Sequence, residues 1–219
     1  MGEVLRKATD GLVARYINRR LSNPITLAIV RHGVPLTPNQ VSVISFLIGL
    51  ASAATYILKL PVLAGVLIQV SSIVDGVDGE LARLLGMESR KGAFLDAVLD
   101  RFVDISVIIG LTLYVNFCMG LSTYVFLASM AALSGCLMVS YIHARGEASL
   151  GVHPSKLGRV INFSSRDVRL FAVFLGSVLG LYVETLLFIA LLSYTYVIAK
   201  FVDTLVALPR SASGVGEVA

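Results

Sequence analysis

Long apolar runs alternate with short polar turns along most of the chain. A helix crossing the hydrocarbon of a bilayer needs about 20 mainly apolar residues. Six stretches fit that ruler: Asn39–Leu58, Val62–Leu85, Ala93–Val115, Thr123–Tyr141, Leu170–Val183 and Thr185–Leu208. The fifth reaches spanning length only if it begins further back, near Asp167. The first has a defined start, because Thr37 suits an N-cap and Pro38 the first helical position. Ahead of it, Glu3–Arg31 reads as an amphipathic helix. Leu5, Leu12, Val13, Tyr16, Ile17 and Leu21 recur at helical spacing, with arginines on the other face, as in a helix lying on a membrane surface. The expected fold class is an all-α integral membrane protein with about six transmembrane helices after this interfacial helix. Residues 1–36 form the juxtamembrane helix, 37–210 the membrane unit, and 211–219 a small, polar, loose tail.

Composition agrees with this reading. The chain is 56% hydrophobic and 15% charged, against about 45–50% and about 25% in soluble domains. Its net charge of +4 would suit nucleic acid, but the basic residues follow the membrane topology instead. Arg6, Lys7, Arg15, Arg19, Arg20 and Arg31 precede the first span, and the next turn carries only Lys59. Arg83, Arg90 and Lys91 follow the second span, whereas Asn116–Ser122 has no basic residue. Arg145, Lys156, Arg159, Arg166 and Arg169 follow the fourth span, and the turn at Glu184 has none. Bias on alternate connections puts both termini in the cytoplasm of a multi-pass cell-membrane protein, and it explains the charge without nucleic acid. Cys118 and Cys136 read as small hydrophobes in helices. No cleavable signal peptide is visible, because the first thirty residues are basic and amphipathic.

Four aspartates interrupt the apolar pattern: Asp75, Asp78, Asp96 and Asp100. A carboxylate near the bilayer centre costs at least about 2.5–3.5 kcal/mol, so four of them require compensation. Asp75 and Asp78 are three residues apart, and Asp96 and Asp100 four apart, so each pair shares a helix face. Two neighbouring helices could aim both pairs at one point, where hard divalent cations suit an all-oxygen site shared with substrate phosphates. Gly76, Gly79 and Gly92 clear space beside them, and Arg83 stands one turn beyond Gly79, within reach of a diphosphate. A calcium loop is excluded by spacing. A cation or proton pathway is the distant alternative; a transporter has no need of Gly79, Ala82 and Arg83 at these offsets. Asp104 continues the four-residue spacing and reads as a structural partner of Arg101.

The segment Asp75-Gly-Val-Asp78-Gly79-Glu-Leu-Ala82-Arg83, followed after eight residues by Gly92-Ala-Phe-Leu-Asp96-Ala-Val-Leu-Asp100, resembles the signature of the CDP-alcohol phosphotransferases at every position. The resemblance implies a transferase that moves a phosphoalcohol from a CDP-alcohol to an acceptor hydroxyl and releases CMP. It implies two Mg²⁺ ions, or Mn²⁺, with Asp75, Asp78 and Asp96 as ligands. Asp100 would hold the second ion and take the acceptor's proton. Gly79, Ala82 and Arg83, with Asp78, Ser89 and the Pro38-Asn39-Gln40-Val41 turn, would hold the CDP moiety. The family also implies a homodimer among membrane lipids.

The second polar cluster, His143, Arg145, Arg166 and Arg169, is the expected binding site for an anionic, phosphorylated polyol acceptor, since arginine forks match phosphate geometry. His143-Ala144-Arg145 resembles the inositol-phosphate branch, with histidine where a basic residue is usual. The Asn18-Arg19-Arg20 and Arg166-Asp167-Val-Arg169 runs resemble the di-myo-inositol-phosphate-phosphate synthases. The leading expectation is therefore transfer from CDP-inositol to inositol 1-phosphate. The alternative is a phospholipid synthase joining a CDP-linked lipid to inositol phosphate or another polar alcohol.

Overall fold

The computed structural model describes residues 11–120 and 122–207, all of whose regular elements are helical. A π-helical turn at Ala14–Asn18 runs into α1 (Arg19–Arg31). Then follow α2 (Pro38–Ile57), α3 (Pro61–Leu85), α4 (Arg90–Met119), α5 (Thr123–Leu150), α6 (Arg166–Leu179) and α7 (Tyr182–Ala207). The expected start of α2 is present. Thr37 Oγ1 accepts from the Gln40 amide, and Gln40 Oε1 accepts from the Thr37 amide at 2.9 Å, a capping box ahead of Pro38. Ser89 caps α4 by accepting from the Gly92 amide. The expected segments before residue 11 and after residue 207, including Leu5 and the 211–219 tail, lie outside the described residues.

Among the described residues five helices, α2, α3, α4, α5 and α7, are long and apolar enough to cross a membrane, so the chain is an integral, multi-pass membrane protein. The expected fifth span is shorter. Counting back from Leu179 to Arg166, α6 has 14 residues, or about 21 Å at the helical rise, against about 30 Å of hydrocarbon. It ends where Gly180 turns left-handed (φ 75°) and the chain reverses into α7.

Helix α2 packs on α3 and α4, α3 on α6, and α5 on α7. Glycines permit the closest approaches. A Cβ on Gly110 of α4 would stand 2.8 Å from the Ala53 carbonyl of α2. The main core gathers Tyr56, Ile68, Val107, Leu111, Leu186 and Ile189, and the Tyr56 hydroxyl hydrogen-bonds Ser177.

Helix α1 is amphipathic and distinct from the spans, but its inward face is the polar one. Asn18, Ser22 and Thr26, one turn apart, are buried, while Leu12, Tyr16, Leu21, Ile25 and Val30 face outward. The cause is Glu80 of α3, fully buried. Its carboxylate accepts from Arg19 Nη1 at 2.7 Å and from the hydroxyls of Ser22 and Thr26 at 2.5 Å each. A buried carboxylate is stable only when paired and hydrogen-bonded, and α1 supplies those partners. The face carrying Asn18, Ser22 and Thr26 therefore docks on the bundle, leaving the apolar positions and Arg15, Arg20 and Arg31 outside.

Candidate active site at one end of the bundle

The acidic pairs lie on facing helices at the end of the bundle where α2, α4 and α6 begin and α3 ends. One carboxylate oxygen from each of Asp75, Asp78 and Asp96 falls within 4.8 Å of the others. That spread accommodates a single hard cation, whose oxygen ligands stand about 2.0–2.6 Å from the metal. The donor set is all-oxygen, so the site can hold a divalent metal. Asp100, one turn along α4, lies outside this triad and accepts an ion pair from Arg166 Nη1 at 2.9 Å.

Two serines on α2 orient the acids. Ser42 donates to Asp78, and Ser45 donates to Asp75 at 3.5 Å. Both were missed in the sequence, because α2 also carries Ser52 and Thr55 and nothing in the local pattern sets Ser42 and Ser45 apart. Arg166, the first residue of α6, is delivered to the acids: Nη1 lies 3.0 Å from Asp75 and Nε 3.2 Å from Asp104, while Arg101 Nη2 lies 3.6 Å from Asp100. Asp104 also pairs with Arg101 and Arg169 at 3.5 Å each. It is the structural partner expected for Arg101, with two further arginines.

Two lobes open from this centre. One, of about 180 Å³, is lined by Pro38, Asn39, Gly79, Ala82, Arg83 and Ser89, and shares Asp78 and Asp96 with the metal-ready triad. Of the residues expected around CDP, Gln40 is spent on the cap, and Val41 is buried against Val77 and Leu81. The other lobe, of about 300 Å³, is lined by Asp75, Asp100 and Arg166 together with Asn18, Arg19, Asn162 and Ser165. Asp167 closes it by accepting from the Ala14 amide at 2.6 Å.

The predicted acceptor group is divided by the fold. Arg166 enters the larger lobe. Arg169 is buried behind it, donating to the Ser164 carbonyl at 2.5 Å and facing Asp104. His143 bonds the Tyr196 hydroxyl at 2.7 Å. Arg145 borders a separate apolar groove between α5 and α7. Sequence spacing had joined them because all four follow the fourth span; packing keeps Arg166 and Arg169 together on Asp104 and sends His143 and Arg145 elsewhere.

A polar centre able to hold a divalent metal, opened by two lobes and set in membrane-length helices, defines a multi-pass membrane protein built around an acidic site. The family model described as CDP-alcohol phosphatidyltransferase matches residues 35–206, and the chain belongs to this family of CDP-alcohol phosphotransferases. It is 36% identical over 205 residues to the bifunctional IPC transferase and DIPP synthase of Archaeoglobus fulgidus, covering 90% of this chain and 40% of that protein. The chain thus spans about two-fifths of that relative's length. It is 32% identical over 160 residues to the archaetidylinositol phosphate synthase of Pyrococcus horikoshii, covering 73% of this chain and 78% of that one. Among solved structures, the phosphatidylinositol phosphate synthase of Mycobacterium tuberculosis with CDP-DAG bound superposes with a TM-score of 0.72 at 27% identity, covering 88% of this chain and 99% of that chain.

Proposed function

We propose that this protein transfers the phosphoalcohol of a CDP-linked lipid to a hydroxyl of a phosphorylated polyol of the inositol phosphate class, releasing CMP. The observation that carries the lipid donor is an apolar groove beside the smaller lobe. It is lined by Leu36, Val43, Ile44 and Leu95, and meets the lobe at Asn39. A nucleotide held between Asn39 and Arg83 would leave acyl or isoprenoid chains a path along α2 and α4 into the bilayer. The synthases of Pyrococcus and Mycobacterium, matched over most of their own length, support the same donor class.

In this proposal Asp75, Asp78 and Asp96 hold a divalent cation, Mg²⁺ or Mn²⁺, and Asp100 contributes to a second. When bound, the cations would offset the charge of the diphosphate. Gly79 and Ala82 admit the nucleotide, and Arg83 meets its phosphates. The acceptor hydroxyl lies in the larger lobe and gives its proton to Asp100. Its oxygen bonds to the phosphorus bearing the donor alcohol, and the bond from that phosphorus to the oxygen of CMP breaks. Arg166, already beside Asp75 and Asp100, meets the acceptor phosphate. Arg169, His143 and Arg145 act behind or away from the lobe. The N-terminal helix joins residues 37–210 in the catalytic unit, because Asn18 and Arg19 line the larger lobe. The active site and both termini face the cytoplasm, as the positive-inside pattern supports, with the short α6 carrying the chain across so that α7 returns it, and the working unit is a homodimer.

A second reading, CDP-inositol as a soluble donor, rests on the identity with the Archaeoglobus bifunctional protein across 90% of this chain. CMP release by the purified protein with Mg²⁺ and inositol 1-phosphate decides between them. Turnover of CDP-diacylglycerol or its ether-lipid analogue supports the lipid donor; turnover of CDP-inositol alone replaces it with the soluble one.

A further inference from the structure

The segment between α5 and α6 is held by an ionic clamp on α7. Lys200 is fully buried. Its Nζ donates to the carbonyls of Leu157 and Val160 at 2.5 and 3.2 Å and to Asp203 at 3.0 Å. Asp203 in turn accepts from the backbone amides of Arg159 and Val160, both at 2.9 Å. Gly158 makes the fit possible. Its φ is +70°, and a Cβ there would lie 2.2 Å from an Asp203 oxygen. Phe163 extends the anchor, with its ring edge-on to Tyr196 at 5.2 Å. An ammonium this deeply buried needs its donors satisfied, and the folded segment supplies their acceptors.

The far end of this segment enters the larger lobe. Asn162 and Ser165 line it directly beside Arg166. The Asn162 Oδ1 and the Ser165 Oγ are buried without a hydrogen-bond partner among the described residues. Buried polar atoms left unpaired are uncommon and call for an explanation. Their residues line the lobe proposed for the acceptor, and a polyol there offers hydroxyls able to satisfy both: it can donate to the amide oxygen and accept from or donate to the serine.

We propose that Asn162 and Ser165 recognise the hydroxyls of the acceptor polyol, and that Lys200, Asp203 and Gly158 are positioning residues that hold them there. The proposal rests on the transferase reading. It separates recognition of the acceptor's hydroxyls, by the 157–165 segment, from recognition of its phosphate, by Arg166. A site built to hydrogen-bond hydroxyls rejects analogues lacking them, because its own groups are then left unpaired.

The test compares wild type with Asn162→Ala, Gly158→Ala and Lys200→Met in detergent, using inositol 1-phosphate as acceptor. Three readouts are taken: KM for each substrate, thermal stabilisation by inositol 1-phosphate alone, and hydrogen exchange at the Arg159 and Val160 amides. Asn162→Ala should raise the acceptor KM about tenfold and leave the donor KM and the exchange unchanged, the signature of a lost substrate contact. Gly158→Ala and Lys200→Met should raise the acceptor KM and also speed exchange at those amides. A merely structural clamp would lower the melting temperature while leaving the ratio of the two KM values alone, and that result would overturn the positioning role. An unchanged acceptor KM in Asn162→Ala would overturn the hydroxyl contact. If the wild type releases no CMP, the transferase reading fails by itself. Loss of ligand stabilisation in Asn162→Ala, with faster exchange in Gly158→Ala, still supports this inference, and unchanged values overturn it.

Discussion

Arg19 Nη1 stands 2.7 Å from Glu80 Oε1 and also donates to the Gly76 carbonyl at 2.9 Å. One guanidinium thus links the N-terminal helix to the stretch of α3 that carries Asp75 and Asp78. Removing one partner of a buried ion pair leaves the other uncompensated and typically costs about 3–5 kcal/mol. Arg19→Met should therefore lower the thermal midpoint in detergent by several degrees, and Glu80→Leu paired with Arg19→Met should recover part of the loss. Equal midpoints for Arg19→Met and wild type would show that α1 is held by other contacts.

Metal dependence follows from the 4.8 Å triad of Asp75, Asp78 and Asp96. Chelation with EDTA should abolish CMP release, and Mg²⁺ or Mn²⁺ should restore it. Asp78→Asn removes an anionic oxygen while preserving shape, so Mn²⁺ affinity measured by calorimetry should fall at least about tenfold. Binding that survives this change unaltered would exclude the triad as the ion's site.

Asp100 is set apart from the triad and contacted by Arg166. As a general base it is worth about 10²–10⁴-fold in rate. Asp100→Asn should lose kcat on that scale, with the donor KM little changed. A near-normal rate would refute its role.

Arg166 contacts Asp75, Asp100 and Asp104 through two nitrogens. Lysine keeps the charge but has no planar fork. Arg166→Lys should raise the acceptor KM about tenfold, while Arg145→Lys, on the separate groove, should leave it unaltered. Equal effects from the two would return Arg145 to the acceptor site.

The apolar groove along α2 offers a direct test of donor class. Val43 and Ile44 are 40% and 41% exposed, so bulkier side chains there should not disturb the core. Ile44→Trp should lower kcat/KM for a CDP-linked lipid and spare CDP-inositol if the latter is accepted. Equal losses with both donors would mean that the lipid chains run elsewhere.

The helices were legible because a membrane span must satisfy its backbone internally, so apolar length alone marks α2, α3, α4, α5 and α7. Thr37-Pro38 and the three- and four-residue spacing of the aspartates were equally readable, since capping and shared helix faces are local geometry. The sequence could not say which faces would meet. His143, Arg145, Arg166 and Arg169 follow one another closely, yet of these four it is Arg166 that pairs with Asp75 and Asp100. Likewise, the serines at 22, 42 and 45 and the threonine at 26 are unremarkable until Glu80, Asp75 and Asp78 are folded against them. The rotation of each helix about its axis is decided by packing between segments far apart in the chain, such as Gly110 against Ala53. That rotation turned the polar face of α1 inward and left the Arg145 face of α5 away from the site.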